Sequence, residues 1–214
     1  TGMPIRNPFP QYLGYFQPDW QFGFANRFKV KDFTVNIDVD GSIGGVMNST
    51  TIEKMWWGGK HPSSVQYRQE EYDAGKPIYV PEGVIVTGGE LTRDVNGNIT
   101  SDTRTYAQNT RAVDWQAWSQ NYPYQARVTV SENKLFANVF DRSFVKLRRV
   151  SVGYDVNKLF KLKHLKALDA SVFGYNLAMW KKVPYLDPDF GVGNDGNLQD
   201  PSTRYIGLSL DFKF

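Results

Sequence analysis

The sequence predicts an all-β fold, made of antiparallel strands of a transmembrane β-barrel that are joined by long extracellular loops. Apolar and polar residues alternate over five short segments, which is the period of strands with one apolar face. The connections between these segments are short and long in turn, as in outer-membrane barrels, whose turns are short on the periplasmic side and long outside. No run of about 18 apolar residues occurs, so helical membrane spans are excluded.

The first two predicted strands, about 19–30 and 33–41, form a hairpin. In the first strand the apolar residues share one parity: Trp20, Phe22, Phe24, Phe28 and Val30. In the second, apolar residues alternate with Thr, Asn and Asp: Phe33, Val35, Ile37 and Val39. The short turn Lys31-Asp32 joins the two runs. This alternation predicts a pair of strands with one apolar face.

A long polar stretch, about 42–143, follows and is predicted to be an extracellular loop. Clusters of Gly, Pro, Asn and Thr interrupt its brief apolar pieces, and a loop of this length is unusual in a compact soluble domain. Within it, Thr51 to Trp57 predict a short helix, and Asn96-Gly97 predicts a tight hairpin turn.

Three further strands are predicted at about 144–156, 167–177 and 203–214, with a second extracellular loop at about 178–202. The first of them changes parity midway, which predicts a β-bulge near Arg148-Arg149. The last places large apolar residues on one face: Ile206, Leu208, Leu210, Phe212 and Phe214. In water such a terminal strand would invite edge aggregation, whereas in a barrel its apolar face meets lipid. The parity of the connections places Phe214 at the periplasmic side.

Composition narrows the classes of function. The formal net charge is +3 and basic residues are scattered among acidic ones, so nucleic-acid binding has no support. The chain has no cysteine, which excludes disulfides and thiolate chemistry. Neither a basic start nor an apolar segment follows Thr1, so the opening is not a signal peptide and Thr1 is expected to be an internal position.

No residue pattern predicts catalysis, a metal or a cofactor. His61 and His164 stand alone, without the side chains that would complete a metal site. Neighbouring carboxylates such as Glu70-Glu71 are no evidence for the geometry that glycoside hydrolysis needs. Aspartates of the second loop could bind calcium, but the EF-hand spacing is missing and solvated carboxylates are the favoured interpretation: Asp187, Asp189, Asp195 and Asp200. We therefore do not expect an enzyme.

Tryptophans are the candidate binding residues. Those of the long loop are predicted to contact substrate, because flat aromatic faces stack on sugars or line a peptide groove: Trp56, Trp57, Trp115 and Trp118. The alternative, which we favour, is that they pack the loop against itself or against a partner lipoprotein. Trp20 and Trp180 are instead expected near the outer membrane interface, as girdle aromatics.

Four blocks of the sequence match motifs of one known family. Residues 18–33, PDWQFGFANRFKVKDF, resemble its proline and acidic residue leading into an aromatic-Gly-Phe-x-Asn strand. Residues 143–154, SFVKLRRVSVGY, resemble a long and specific block, with Arg149 where Asn is common. Residues 170–180, ASVFGYNLAMW, with YLDPD at 185–189, and the closing strand TRYIGLSLDFKF at 203–214 follow in the family order. Together the blocks resemble the C-terminal part of SusC/RagA-family TonB-dependent outer-membrane transporters.

The resemblance implies energy-coupled import of an oligosaccharide or a peptide across the outer membrane of a Bacteroidetes-type bacterium. Residues 1–214 would supply C-terminal barrel strands and substrate-facing loops, and the plug domain would lie outside this sequence. The implied partners are the rest of the barrel and plug, the lipid bilayer, a SusD-like surface lipoprotein, TonB through the N-terminal part, and the barrel-assembly machinery through the C-terminal strand. The alternative is a secreted β-sandwich carbohydrate-binding module, which would need two packed sheets and evenly spaced turns.

Overall fold

The computed structural model describes residues 1–3, 12–121, 138–156, 166–190, 198–199 and 201–213. The strands are, in chain order, β1 Trp20–Val30, β2 Phe33–Ile43, β3 Val46–Asn48, β4 Val84–Gly88, β5 Leu91–Arg93, β6 Ile99–Asp102, β7 Thr105–Gln108, β8 Val139–Asp141, β9 Phe144–Asp155, β10 Ala167–Lys181 and β11 Tyr205–Lys213. The helices are α1 Thr50–Trp57, α2 Arg68–Ala74 and α3 Trp115–Asn121, with a 3-10 helix at Pro62–Val65. The described chain is mostly β-strand with little helix, which agrees with the predicted all-β class in its broad form.

The chain divides into two compact units. One contains Thr1–Leu13 and Ser49–Val139, and the other contains Gly14–Asn48 and Phe140–Phe214. We call them the helical unit and the sheet unit. Strands β1, β2, β9 and β11 lie within about two residues of the predicted bounds, whereas β10 continues to Lys181, beyond the predicted 177. Phe214, which was expected at the end of the last strand, lies outside the described residues.

The sheet unit contains one antiparallel five-stranded sheet in the order β1-β2-β9-β10-β11. Its register assigns every side chain to a face, because successive residues of a strand point to opposite sides. On one face, which we call the apolar face, residues from all five strands meet: Trp20, Phe22, Phe24, Phe28, Val30, Phe33, Val35, Ile37, Val39, Ile43, Val145, Leu147, Val150, Val152, Tyr154, Leu168, Ala170, Val172, Ala178, Trp180, Ile206, Leu208, Leu210 and Phe212. Within these five strands, Asn26 is the polar residue that shares this face.

The opposite face, which we call the polar face, is rich in charged and hydroxyl side chains. It includes Arg27, Lys29, Thr34, Asn36, Asp38, Asp40, Lys146, Arg149, Ser151, Asp169, Ser171, Ser209 and Asp211. Phe173 and Tyr175 are aromatic members of the polar face, with ring centroids 5.5 Å apart. The sheet is therefore two-sided along its whole width.

A bulge at Arg148 keeps the apolar face continuous. Arg149 lies opposite Asp38 and Leu147 lies opposite Val39, so Arg148 is the extra residue of β9. Leu147 and Val150 consequently share the apolar face, although three positions separate them. The predicted bulge near Arg148-Arg149 is confirmed.

A second bulge, in β10, was not predicted. Tyr175 lies opposite Arg149 and Ala178 lies opposite Leu147, so Asn176 and Leu177 together face the bulged Arg148. Asn176 has a φ of +53°, the left-handed conformation that Asn tolerates better than most residues. This bulge allows β10 to stay in register with β9 as far as Lys181.

The helical unit fills most of the predicted long loop. The predicted helix over Thr51 to Trp57 is confirmed as α1, whose N-terminus is capped by Ser49 Oγ accepting a hydrogen bond from the Ile52 amide at 3.1 Å. The predicted hairpin at Asn96-Gly97 is confirmed as the β5–β6 turn, where Gly97 has a φ of +86°. Strands β4 and β7 form a second hairpin. Within the described ranges, no helix has the length and apolarity needed to cross a membrane.

Candidate functional site

The helical unit contains a cavity of about 710 Å³. Its walls come from helices α1, α2 and α3 and from the turns beside them, and none of its lining residues belongs to a strand. The lining includes Trp56, Trp57, Arg68, Glu71, Tyr72, Trp115 and Ser119. This volume lies within the roughly 300–1,000 Å³ that is usual for small-ligand sites.

One wall of the cavity depends on an aromatic cluster, formed by Tyr67, Tyr79, Trp115 and Trp118. Trp115 and Trp118 stack with centroids 5.0 Å apart and an interplanar angle of 15°. Tyr79 meets Trp115 and Trp118 edge-on at 4.8 Å and 4.9 Å, and Tyr67 meets Trp115 at 5.0 Å. Burial raises the pKa of the Tyr79 phenol, and the neighbouring Tyr67 and Glu82 raise it further. The cluster is a local core for this unit.

Trp115 is the centre of this cluster and is only 3% exposed. Its indole Nε1 donates to the Ser64 carbonyl at 2.8 Å, and its backbone amide donates to the Glu71 carboxylate at 2.9 Å. The same carboxylate accepts a hydrogen bond from the Ile78 amide at 3.2 Å. Glu71, which the sequence presented only as half of a carboxylate pair, therefore ties α2 to the start of α3.

Arg68 holds another part of the lining together through hydrogen bonds. Its Nε donates to the Ser64 carbonyl at 2.8 Å, and its Nη2 donates to the Gly59 carbonyl at 2.9 Å and to Ser64 Oγ at 3.1 Å. Both ionic groups at the centre of the lining, Arg68 and Glu71, thus hydrogen-bond to nearby backbone groups. Nothing in the sequence around Arg68 predicted this role, because its acceptors lie four and nine residues earlier in the chain.

The predicted tryptophans divide between packing and lining. Trp56 stacks on His61 with centroids 4.1 Å apart, and burial lowers the pKa of that imidazole. Trp57 is 54% exposed, with Lys54 Nζ 5.8 Å from its ring centroid. Trp56, Trp57 and Trp115 line the cavity, whereas Trp118 packs behind Trp115. Substrate contact by these four residues stays a prediction.

Ser119 is a lining residue that sequence reasoning missed. Its side chain is 4% exposed, and its hydroxyl has no hydrogen-bond partner in the part of the chain that the structure describes. A buried hydroxyl without a partner costs about 1–3 kcal/mol. The position carried no recognisable signal, because a serine within a polar helix is ordinary.

The polar face of the sheet unit holds a second group of charges. Lys146 Nζ lies 2.6 Å from Asp187 Oδ2 and 3.0 Å from Asp189 Oδ2, and Lys146 and Asp187 are both buried. Arg148 pairs with Asp40 and, at 2.9 Å, with Asp189. The segment 183–190, with Val183, Leu186 and Pro188 buried, is thereby held against β9.

The interpretation as a solvated carboxylate is wrong for Asp187, which is buried. Asp189 is exposed, with 37% of its side chain accessible, but it is also paired. Both accept hydrogen bonds from Lys146, which the sequence places far away and the sheet brings beneath the 183–190 segment. Asp195 and Asp200, named with them, lie outside the described residues, as does His164. Among the described residues, no group of three or more His, Asp or Glu could hold a metal ion.

Similarities to known proteins cover most of this chain. TonB-dependent receptor P3 of Formosa agariphila is 23% identical over 218 residues, which cover 94% of this chain and 17% of the relative. A structure of the RagAB peptide importer in the open-open state matches 94% of this chain and 18% of its own, at 13% identity and a TM-score of 0.47. No protein-family model matches the chain.

The chain spans less than a fifth of the length of the relatives it matches. The sequence relative agrees with the resemblance drawn from the strand motifs, and that part of the prediction is confirmed: this chain is similar to a segment of a TonB-dependent receptor.

Proposed function

We propose that this chain forms part of the β-barrel wall and the substrate-facing loops of an outer-membrane importer. The importer takes up a nutrient, an oligosaccharide or a peptide, in an energy-coupled reaction as part of a complex of the SusC/SusD kind. The similarity to a TonB-dependent receptor supports this proposal. The observation that carries it is the two-sided sheet.

The apolar face is the first support. Large apolar side chains lie exposed on each of the five strands of the sheet, β1, β2, β9, β10 and β11, including Trp20 at 72% and Leu208 at 79%. Burying a large apolar side chain stabilises a fold by about 1.5–3 kcal/mol. If the apolar face lay in water, this stabilisation would be lost for each of its exposed side chains. A hydrocarbon phase against the apolar face removes the conflict.

The polar face is the second support. Barrel interiors of this class are polar, and the charges of β2 and β9 are compensated there: Arg149 Nε lies 2.8 Å from Asp38 Oδ2, and Arg148 pairs with Asp40. The two faces thus match the two environments on either side of a barrel wall.

Trp20 and Trp180 support an orientation. Trp20 lies opposite Ile43 and Trp180 lies opposite Val145, so both are on the apolar face at the end of the sheet where β2 ends. Tryptophan is enriched where membrane meets water. We place this end of the sheet at the outer interface.

The partners follow from the same proposal. The wall requires the remaining barrel strands and a plug, lipid surrounds it, a SusD-like lipoprotein covers the extracellular side, and TonB acts through a part of the transporter outside this sequence. The barrel-assembly machinery recognises the C-terminal strand, β11. The alternative, a secreted β-sandwich binding module, has little support, because the sheets other than the five-stranded one have only two short strands each among the described residues.

The first test is the denaturing mass and the membrane integration of the native polypeptide that carries this sequence. We expect a chain several times heavier than 24.4 kDa that stays in the outer membrane after alkaline extraction. Deleting its gene should abolish uptake of one class of labelled oligosaccharide or peptide. A soluble 24.4 kDa species would overturn the proposal and favour the binding module.

A further inference from the structure

We propose that the cavity of the helical unit is a binding site for a neutral oligosaccharide, with Trp57, Tyr72 and Ser119 as its contact residues. The inference rests on the proposed function, since it names the substrate class that the extracellular loops would bind. It rests on the net charge of the lining, on the absence of a strand edge, on exposed aromatic rings and on one buried hydroxyl.

Charge is the first step. The lining has two basic and two acidic side chains, Arg68, Lys76, Glu71 and Asp114. Arg68 donates to Ser64 and Gly59, Glu71 accepts from the Ile78 and Trp115 amides, and Asp114 accepts from the Ala117 amide at 2.7 Å. The opposed charges cancel and three of the four side chains hold the cavity together. This arrangement favours a ligand without net charge.

The shape of the lining is the second step. One common mode of peptide binding pairs the extended backbone of the peptide with the exposed edge of a strand. All lining residues belong to helices and turns, so the cavity presents no such edge. A ligand that is recognised through its ring faces and hydroxyls needs none.

Aromatic surface is the third step. Trp57 is 54% exposed and Tyr72 is 82% exposed, although both belong to the lining. In contrast, Trp115 in the same lining is buried and makes both of its N–H hydrogen bonds within the protein. Trp57 and Tyr72 therefore offer apolar ring faces on which the carbon face of a sugar ring can stack.

The Ser119 hydroxyl offers a ligand a polar contact. It is buried, it lines the cavity, and it has no partner among the described residues. Native proteins leave few buried polar groups unpaired, and a ligand that enters this cavity supplies the partner that the Ser119 hydroxyl lacks. A sugar hydroxyl both donates and accepts, so it can pair with the Ser119 hydroxyl in either sense.

The experiment uses the full-length polypeptide that carries this sequence, purified in detergent. Binding is measured by titration calorimetry with neutral tetrasaccharides of glucose, xylose, mannose and galactose, and with tetraalanine as the competing class. We expect at least one tetrasaccharide to bind and tetraalanine not to bind. Binding of tetraalanine alone, or of no tetrasaccharide, would overturn the inference.

Variants then locate the site. We expect Trp57→Ala and Tyr72→Ala each to weaken binding about tenfold, because each removes a stacking surface. Ser119→Ala should weaken binding roughly fivefold, the effect of one lost hydrogen bond. The matched control is Tyr106→Ala, an exposed tyrosine of the same unit outside the lining, which should leave binding unchanged.

Ser119→Ala also separates a ligand role from a purely structural one. Removing an unpaired buried hydroxyl should leave the unliganded protein as stable as before or more stable, so weaker binding cannot be attributed to unfolding. Unchanged binding in all three lining variants would overturn the inference while leaving the import function intact. Conversely, a soluble 24.4 kDa protein that binds a tetrasaccharide through Trp57 and Ser119 would overturn the import function and retain this site.

Discussion

Aromatic residues do opposite things in the two units of this protein. On the apolar face of the sheet aromatic rings meet in pairs, such as Phe33 with Tyr154 at 4.7 Å, and large rings stay exposed, as Trp20, Phe24 and Phe212 show. In the helical unit four rings turn towards one another, and Trp115 is buried by Tyr67, Tyr79 and Trp118. The difference teaches that aromatic content alone does not indicate a core. A core forms where helices and turns bring rings together, and an outward-facing surface forms where strand alternation sets them in rows.

We expect the largest loss of stability from Trp115→Ala. Removing the centre of the aromatic cluster leaves a cavity and loses a buried hydrogen bond, so we expect the local stability of residues 49–121 to fall by about 3–5 kcal/mol. Hydrogen exchange of those residues in the full-length protein measures it. Trp57→Ala is the control and should cost under about 1 kcal/mol, because an exposed side chain contributes little packing. Equal losses would contradict the assignment of Trp115 to a core.

Lys146→Met tests whether the buried ion pair of Lys146 and Asp187 stabilises the sheet unit, as the aromatic cluster stabilises the helical unit. The substitution leaves Asp187 buried without its cation, which costs about 3–5 kcal/mol. We expect faster exchange and proteolysis of residues 183–190. Lys182→Met removes an exposed pair with Asp141 and should cost about 0–1 kcal/mol. If Lys146→Met proved as mild as its control, the segment would be held by its apolar residues alone.

Val150→Arg challenges the two faces directly. Val150 lies midway along β9 on the apolar face, and an arginine in the middle of a lipid-facing surface costs about 2–4 kcal/mol. Ser151→Arg puts the same side chain one residue away on the polar face, where it gives up the hydrogen bond from Asn36, about 1 kcal/mol. The amount of folded transporter in outer membranes reports both. A larger defect from Ser151→Arg than from Val150→Arg would contradict the assignment of the apolar face to lipid.

Acid should loosen the 183–190 segment, and this is the smallest effect. Burial raises the pKa of Asp189, but hydrogen bonds from Arg148 and Lys146 outweigh it and the pKa lies below its usual range. Because the folded pKa is depressed, this carboxylate stabilises the segment fully above its unfolded pKa of about 3.9, and the contribution is lost as pH falls through the lower folded value.

Proteolysis of the segment between neutral pH and pH 2 measures this dependence. Asp189→Asn should remove part of it. Another part comes from Asp141, which pairs with Lys182 beside the segment. Burial raises the pKa of Asp141, but hydrogen bonds from Lys182 and Ser143 lower it to a net decrease. An acid dependence that is the same in Asp189→Asn as in the native protein would contradict the assignment to Asp189.

The strand pattern and one bulge could be predicted because both are local. Alternation over Trp20 to Val30 marks a face without knowledge of the neighbouring strand, and a change of parity at Arg148-Arg149 reports an extra residue. The second bulge, in β10, was not predicted, because Asn176 and Leu177 interrupt the alternation where the strand was expected to end. Its cause lies in β9, since two residues of β10 span the single bulged Arg148.

The sequence by itself determined which residues form the apolar face, where the short helix and the Asn96-Gly97 turn occur, and which family the chain resembles. These depend on periodicity, backbone preference and motifs, all of which are readable along one chain. Only the tertiary structure decided that Lys146 meets Asp187 and Asp189, and that Trp57, Tyr72 and Ser119 share one cavity. Those contacts join residues that lie up to some sixty positions apart, and their geometry depends on strand register and helix packing rather than on any local pattern.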